Sequence, residues 1–186
     1  MDWTGRWPDK ASKRVRYADD FVVLCASQQE AQKALEEISH WVEENGLKLH
    51  PTKTRMVDAS QRGGFDFLGY HFERGKKWPR KKSQDKLKDA VRSKTRRSSG
   101  RCMKAICADL NLTLKGWFVY FQHSVPHVLE SIDGYVRGRL RSILRRRRKR
   151  KGRAKGKDHY RWPNTYFSAV GLFSLKQAHT AARRSS

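Results

Sequence analysis

Apolar and polar positions in the first part of the chain predict a β-hairpin followed by a helix. Residues 15–26 are dense in β-forming side chains, and a polar tripeptide at 18–20 interrupts them, which is typical of two strands joined by an acidic turn. Ser27 and Glu30 have the spacing of a capping box, and Gly46 is a helix stop signal. Because the apolar residues between them recur every three or four positions, we predict a helix with one buried face.

The remaining pattern predicts a second strand pair and then several helices. Aromatic residues over 65–72 follow a glycine pair and alternate as in a hairpin. Helical spacing then recurs over 85–97, 110–121 and 128–144, and residues 162–182 predict a short element followed by a helix. The expected fold class is therefore α+β, with a small strand–helix–strand part followed by an α-helical part.

Positive charge is confined to the helical part. Residues 1–74 contain 11 Lys and Arg against 12 Asp and Glu, a net charge of −1, whereas residues 75–186 contain 31 against 6, a net charge of +25. Residues 145–151 alone are seven consecutive cations. Such a field favours a polyanion, and nucleic acid is the usual one. A solvated basic surface or a basic tail that binds any acidic partner is the alternative.

Several classes of protein are disfavoured by the same sequence. No apolar run approaches the roughly 20 residues that span a bilayer, and the N-terminus does not have the pattern of a signal peptide. Cys25, Cys102 and Cys107 form no C-x-x-C pair and no zinc-ligand spacing. We therefore interpret them as reduced thiols of a cytoplasmic protein that does not contact a membrane.

Adjacent carboxylates at the predicted turn are the first candidate for chemistry. Asp19 and Asp20 lie between two apolar strands, and at a tight turn both can converge on one cation. Polymerases align their reacting oxygens with paired Mg²⁺ ions held by carboxylates. A plain Asp-Asp turn is the alternative for this dipeptide considered alone.

Three ordered motifs resemble the reverse transcriptases encoded by group II introns. Residues 16–22, Arg-Tyr-Ala-Asp-Asp-Phe-Val, match the Y-x-D-D signature. Residues 46–54, Gly-Leu-Lys-Leu-His-Pro-Thr-Lys-Thr, look like the segment whose lysine lies near the incoming nucleotide. Residues 65–70, Phe-Asp-Phe-Leu-Gly-Tyr, resemble the primer-grip hairpin. The resemblance implies the end of a reverse transcriptase palm.

The resemblance extends through the helical part. Residues 106–121, 132–141 and 162–175 look like successive segments of the thumb, or maturase domain X, which grips intron RNA and assists its splicing. The implied domains are the C-terminal part of the palm at 1–74, a helical thumb and domain X at 75–150, and a basic linker with a closing segment at 151–186. The implied localisation is bacterial, cytoplasmic and associated with ribonucleoprotein or nucleoid.

The resemblance also implies roles for individual residues. Asp19 and Asp20 are the expected catalytic residues and ligands of Mg²⁺, with Asp19 the better candidate. The residues expected to bind nucleotide or primer are Tyr17, Ala18, Lys53, Phe67, Leu68 and Gly69. The residues expected to bind RNA are Lys81, Lys82, Arg137, Arg141, Arg145, Arg146, Arg147 and Arg148. For the run at 145–151 a solvated tail is the alternative.

The sequence departs from the family pattern upstream of the Y-x-D-D motif. A complete site needs a further Asp on an upstream strand, and neither Asp2 nor Asp9 lies in a β-like segment. We therefore expect an N-terminally truncated chain that does not polymerise alone, as a gene fragment, as half of a split protein with an N-terminal reverse transcriptase partner, or as a non-enzymatic maturase. An inactive remnant is a further alternative. The expected partners are intron RNA, primer and template nucleic acid, and dNTPs.

Overall fold

The computed structural model describes residues 13–18, 20–152 and 154–184. The strands are β1 (Lys13–Tyr17), β2 (Asp20–Leu24), β3 (Phe65–Phe67), β4 (Tyr70–Glu73) and β5 (Lys76–Pro79). The helices are α1 (Gln28–Glu44), α2 (Lys81–Lys94), α3 (Met103–Phe121), α4 (Pro126–Arg147), α5 (Gly156–Arg161), α6 (Asn164–Ala169) and α7 (Leu175–Arg184). The predicted α+β class is confirmed.

The first hairpin and helix form where the sequence predicts them. β1 pairs antiparallel with β2, with Tyr17 opposite Asp20. The Ser27 hydroxyl accepts a hydrogen bond from the Glu30 amide at 3.2 Å, which caps α1. The Glu30 carboxylate in turn accepts from the Ala26 amide at 2.9 Å, one residue before the predicted capping-box partner.

The apolar side chains of this first hairpin remain in contact with solvent. Val15, Phe21 and Leu24 are 46%, 44% and 47% exposed. In α1, Val42 is the buried residue among those described, so the predicted buried face of this helix is covered only in part. Within the described chain, β1, β2 and α1 therefore bury little apolar surface of their own.

The second sheet contains a strand that the sequence pattern did not predict. β4 pairs antiparallel with β3 on one side and with β5 on the other. Arg74 and Gly75 join β4 to β5 in a two-residue turn with φ of 52° and 67°, the left-handed backbone of a tight hairpin. The change in composition near residue 75 therefore lies inside a continuous sheet.

The main hydrophobic core lies in the helical part. Residues of α2, α3, α4, α6 and α7 form one buried cluster, and α4 packs against α7 while α2 packs against α3. The fully buried side chains at its centre are Val91, Ile106, Leu110, Leu114, Leu129, Ile132, Val136, Leu140, Ile143, Phe167 and Leu175. The predicted short element and final helix of the closing segment are α6 and α7. No described helix is both long enough and apolar enough to cross a membrane.

Candidate nucleic-acid interface

The acidic turn between β1 and β2 is open to solvent. Asp20 begins β2 and is exposed, and Tyr17 opposite it is 65% exposed. Ala18 has a φ of 52°, and its carbonyl accepts a hydrogen bond from the Arg16 Nε at 2.8 Å. Asp19 lies outside the described residues. The described turn therefore presents one carboxylate.

The magnesium site that the sequence predicts can be compared with the structure at this one carboxylate. Carboxylate oxygen is the ligand that Mg²⁺ prefers, so the donor chemistry fits. Among the described residues, however, no group of three His, Cys, Asp or Glu side chains is placed to hold a metal ion. The described residues thus do not complete a metal site, and the role of Asp20 as a ligand stays a prediction.

Lys53 lies in a separate exposed turn. The His50 carbonyl accepts hydrogen bonds from the amides of Lys53 and Thr54, at 3.2 Å and 3.0 Å, which closes one helical turn after α1. Among the described residues, no hydrogen bond or ion pair connects the Lys53 side chain to the hairpin of β1 and β2. Its predicted contact with nucleotide phosphates stays a prediction.

The turn between β3 and β4 is fixed to α2 and α3. Leu68 and Gly69 have φ of 46° and 79°, which Gly adopts without the steric cost that a Cβ imposes. The Gly69 carbonyl accepts from the Ser83 hydroxyl at 3.1 Å and from the Arg80 amide at 2.9 Å. The Leu68 carbonyl accepts from the Tyr120 hydroxyl at 2.7 Å. Hydrogen bonds from residues of α2 and α3, and from Arg80 just before α2, therefore hold the turn that was predicted to be the primer grip.

Tyr70 completes this connection on the other side of the turn. Its hydroxyl donates to the Tyr120 carbonyl at 2.6 Å, and burial raises its pKa, which keeps it a donor. Two tyrosine hydroxyls therefore connect the sheet to α3: Tyr70 donates to the Tyr120 carbonyl, and Tyr120 donates to the Leu68 carbonyl. Neither bond was predicted, because partners 50 and 52 residues apart leave no periodic signal in the sequence.

Arg141 was predicted to bind RNA, but the structure places it in the interior. It is 3% exposed, its guanidinium donates to the Trp162 carbonyl at 2.9 Å and to the Asn164 side chain at 2.8 Å, and it lies over the Phe167 ring. Burial lowers its pKa. A guanidinium that is used in this way cannot also reach phosphate, so we interpret Arg141 as an anchor for the closing segment.

Arg145 and Arg147 also make contacts inside the protein. Arg145 donates to the Asp158 carboxylate at 2.8 Å and to the Lys151 carbonyl at 3.0 Å. The backbone amide of Lys155 and the Arg145 guanidinium hold the pKa of Asp158 below its usual value. Arg147 donates to the Arg101 carbonyl. Both arginines therefore connect the end of α4 to neighbouring loops.

The other predicted RNA-binding cations are more accessible. Lys81 and Lys82 are exposed in the first turn of α2, and Arg137 is half-buried on α4. Arg148 is exposed and lies over the Trp162 ring, with 5.6 Å between the guanidinium carbon and the ring centroid. Arg146 is exposed in the last turn of α4 and lines a concave pocket together with Arg97, which lies in the loop between α2 and α3. Arg97 was missed, because no sequence signal relates it to the basic run.

Comparison with known protein families finds a matching family model for each of the two parts of the chain. The family model described as reverse transcriptase (RNA-dependent DNA polymerase) matches residues 1–72. The family model described as group II intron, maturase-specific domain matches residues 84–162, which contain the buried core of α2, α3 and α4. None of the curated proteins compared with the chain matches it.

Proposed function

This chain belongs to the family of group II intron-encoded reverse transcriptases and maturases, and we propose that its two parts divide the work of that family. The basic helical part binds the intron RNA. The acidic turn between β1 and β2 contributes carboxylates to RNA-directed DNA polymerisation. One observation carries the RNA-binding role: the +25 charge of residues 75–186 accompanies a domain with a fully buried core. A folded scaffold holds cations in fixed places, unlike a basic tail.

We propose that polymerisation requires carboxylates beyond those of the described hairpin. Asp20, and Asp19 beside it, have the ligand chemistry that Mg²⁺ prefers, and Mg²⁺ would stabilise the developing charge of phosphoryl transfer. We propose that an N-terminal reverse transcriptase fragment supplies the further Asp. The half-exposed Val15, Phe21 and Leu24 support this partner, because they leave apolar surface for it to cover.

The other palm residues have positioning roles in the same proposal. Tyr17 and Ala18 lie beside the primer end, and Lys53 lies near the nucleotide phosphates. The turn at Phe67, Leu68 and Gly69 contacts the primer, and its attachment to α2 and α3 supports a rigid grip. The substrates are primer, template and dNTPs, and the protein acts in the bacterial cytoplasm with its RNA.

Primer extension tests the proposed role in DNA polymerisation. The purified chain is incubated with an RNA template, a DNA primer, dNTPs and Mg²⁺, with and without an N-terminal reverse transcriptase fragment. We expect extension only with the fragment, and we expect Asp19→Asn or Asp20→Asn to abolish it. Extension by the chain alone would refute the requirement for a partner.

RNA affinity measured at increasing salt concentration tests the proposed RNA-binding role. Each neutralised phosphate of single-stranded RNA contributes a slope of roughly −0.7 to the plot of log affinity against log salt concentration. We expect fluorescence anisotropy with labelled RNA to show a steep negative slope, because the binding part is strongly cationic. An affinity that does not change with salt would contradict the proposal.

A further inference from the structure

Two loops and the end of α4 enclose a basic pocket that the sequence motifs do not reveal. Arg97 and Ser98 come from the connection between α2 and α3, and Arg146 comes from the last turn of α4. Arg150, Lys151 and Gly152 follow α4 and complete the wall. The pocket, called here the Arg97 pocket, has a volume of about 430 Å³. That volume lies within the range of roughly 300–1,000 Å³ typical of ligand sites.

We propose that the Arg97 pocket binds a backbone phosphate of RNA. The proposal rests on the proposed maturase function and makes it more specific, because it assigns one fixed phosphate contact within a broadly basic surface. Among the described residues of the lining, four side chains are cationic and none is acidic. Like charges in one concavity repel, and a phosphate placed between them relieves that repulsion.

The Asp158 carboxylate is already paired within the protein. The Asp158 carboxylate is buried and accepts from the Arg145 guanidinium and the Lys155 amide, each at 2.8 Å. The Lys155 amide and the Arg145 guanidinium lower the pKa of Asp158, and the charge of Arg150 adds a smaller effect. No ion pair between Arg150 and a carboxylate is formed among the described residues. Arg97, Arg146 and Lys151 likewise form no ion pair there. The pocket therefore keeps uncompensated positive charge.

Neighbouring arginines shape the pocket without lining it. Arg145 donates to the Lys151 carbonyl at 3.0 Å, which holds the loop after α4. Arg147 donates to the Arg101 carbonyl and thereby joins the end of α4 to the loop before α3. Lys149 and Gly152 have φ of 58° and 88°, in the left-handed region of the backbone. These contacts connect the backbone segments that carry the pocket residues.

The lining favours a phosphate over an apolar small molecule. Its described residues are three arginines, one lysine, one serine and one glycine, and none of them is aromatic. Guanidinium groups bind phosphate oxygens bidentately, and Ser98 adds a neutral donor. Sites for small organic ligands are predominantly apolar. A phosphodiester and a free nucleotide share this chemistry, and the competition arm below separates them.

Two matched pairs of substitutions test the pocket in the full-length chain. Lys151→Gln removes a pocket cation, and Lys149→Gln removes the same charge two residues away, outside the lining. Arg97→Gln and its neighbour Arg96→Gln form the second pair. Each variant is titrated with a short hairpin RNA and with a single-stranded RNA of equal length, and its thermal unfolding is followed by circular dichroism. Inorganic phosphate and a nucleoside monophosphate serve as competitors.

The pairs distinguish a pocket from diffuse attraction. We expect the pocket member of each pair to weaken hairpin binding about tenfold and its neighbour less than threefold, because a hydrogen bond to a charged group is lost only in the first case. Competition by the monophosphate at concentrations where inorganic phosphate has no effect would instead assign the pocket to a free nucleotide and overturn the proposal.

Each remaining outcome also decides the question. Equal losses within both pairs, with unchanged unfolding, would show a diffuse basic surface and would overturn the pocket while leaving RNA binding intact. No binding by the unmodified chain would refute the proposed function itself. Because Arg97 donates weakly to the Gly152 carbonyl at 3.5 Å, its variant could disturb the loop. Lys151 makes no side-chain hydrogen bond within the described residues. If the Arg97 variant unfolds, the comparison of Lys151→Gln with Lys149→Gln therefore decides between the pocket and a diffuse surface.

Discussion

The carboxylate of Asp133 fixes the last helix of the chain to the core. Asp133 lies on α4 and is 4% exposed. Its oxygens accept from the Ser174 hydroxyl at 2.7 Å and from the amides of Leu175 and Lys176 at 3.0 Å and 3.1 Å. Those amides belong to the first turn of α7, where helix donors have no partner in the helix itself. Asp133 therefore caps α7 from a distant helix.

Replacing Asp133 with Ala removes this cap. The loss of a capping side chain costs about 0.5–2 kcal/mol, and a buried donor left without a partner costs about 1–3 kcal/mol. The Leu175 amide is the donor that suffers most, because Leu175 is fully buried whereas water can reach the exposed Lys176. We expect the free energy of unfolding to fall by roughly 2–4 kcal/mol, a large fraction of the stability of an ordinary domain.

Urea denaturation followed by circular dichroism measures this loss, and hydrogen exchange locates it. The amides of 175–184 should exchange faster in the variant, since α7 is released first. Ser131→Ala, an exposed change on the same helix, is the matched control. Asp133→Asn should give an intermediate loss, because the amide keeps an acceptor oxygen but lacks the charge. A loss in Asp133→Ala no larger than that of the control would refute the capping argument.

Two further predictions concern cations that the structure places in the interior. Arg141→Lys should lower the free energy of unfolding by about 1–3 kcal/mol, because the ammonium lacks the planar fork with which the guanidinium reaches both the Trp162 carbonyl and the Asn164 side chain. RNA affinity measured on the folded protein should change less than in Lys151→Gln. The folded pKa of Asp158 is depressed, so its contribution to stability is present above its ordinary pKa of 3.8 and is lost as pH falls through the folded pKa. Urea titrations from neutral to acidic pH should therefore show a smaller acid-induced loss in Asp158→Asn than in the unmodified chain, and an identical pH dependence would contradict this role.

Local signals explain why the first hairpin and helix could be predicted. β-branched and aromatic residues on both sides of a polar turn specify β1 and β2, and Ser27 specifies the start of α1 through a contact only three residues long. β5 lacks such signals, because Lys76-Lys77-Trp78-Pro79 is not rich in β-formers. It is a strand because the turn at 74–75 folds it onto β4 and because Trp78 packs against the helical core.

In the candidate site, too, some features were predictable from the sequence and others were not. The order of the three motifs in the sequence indicates the family, and the family matches confirm it. The roles of Asp19, Asp20, Lys53 and the primer-grip turn stay predictions. The anchoring of that turn by Tyr70 and Tyr120 could not be predicted, because each bond spans about 50 residues of chain.

The sequence by itself determined the family, the first hairpin, most of the helices and the position of the positive charge, since these depend on composition and on contacts within a few residues. Only the tertiary structure decided what each cation does. Arg141 and Arg146 lie on the same helix and carry the same charge, yet one is buried against Phe167 and the other faces the Arg97 pocket. The Trp162 carbonyl, the Asn164 side chain and the Phe167 ring cover Arg141, whereas Arg146 stays exposed. Charge counts contain no information about that difference.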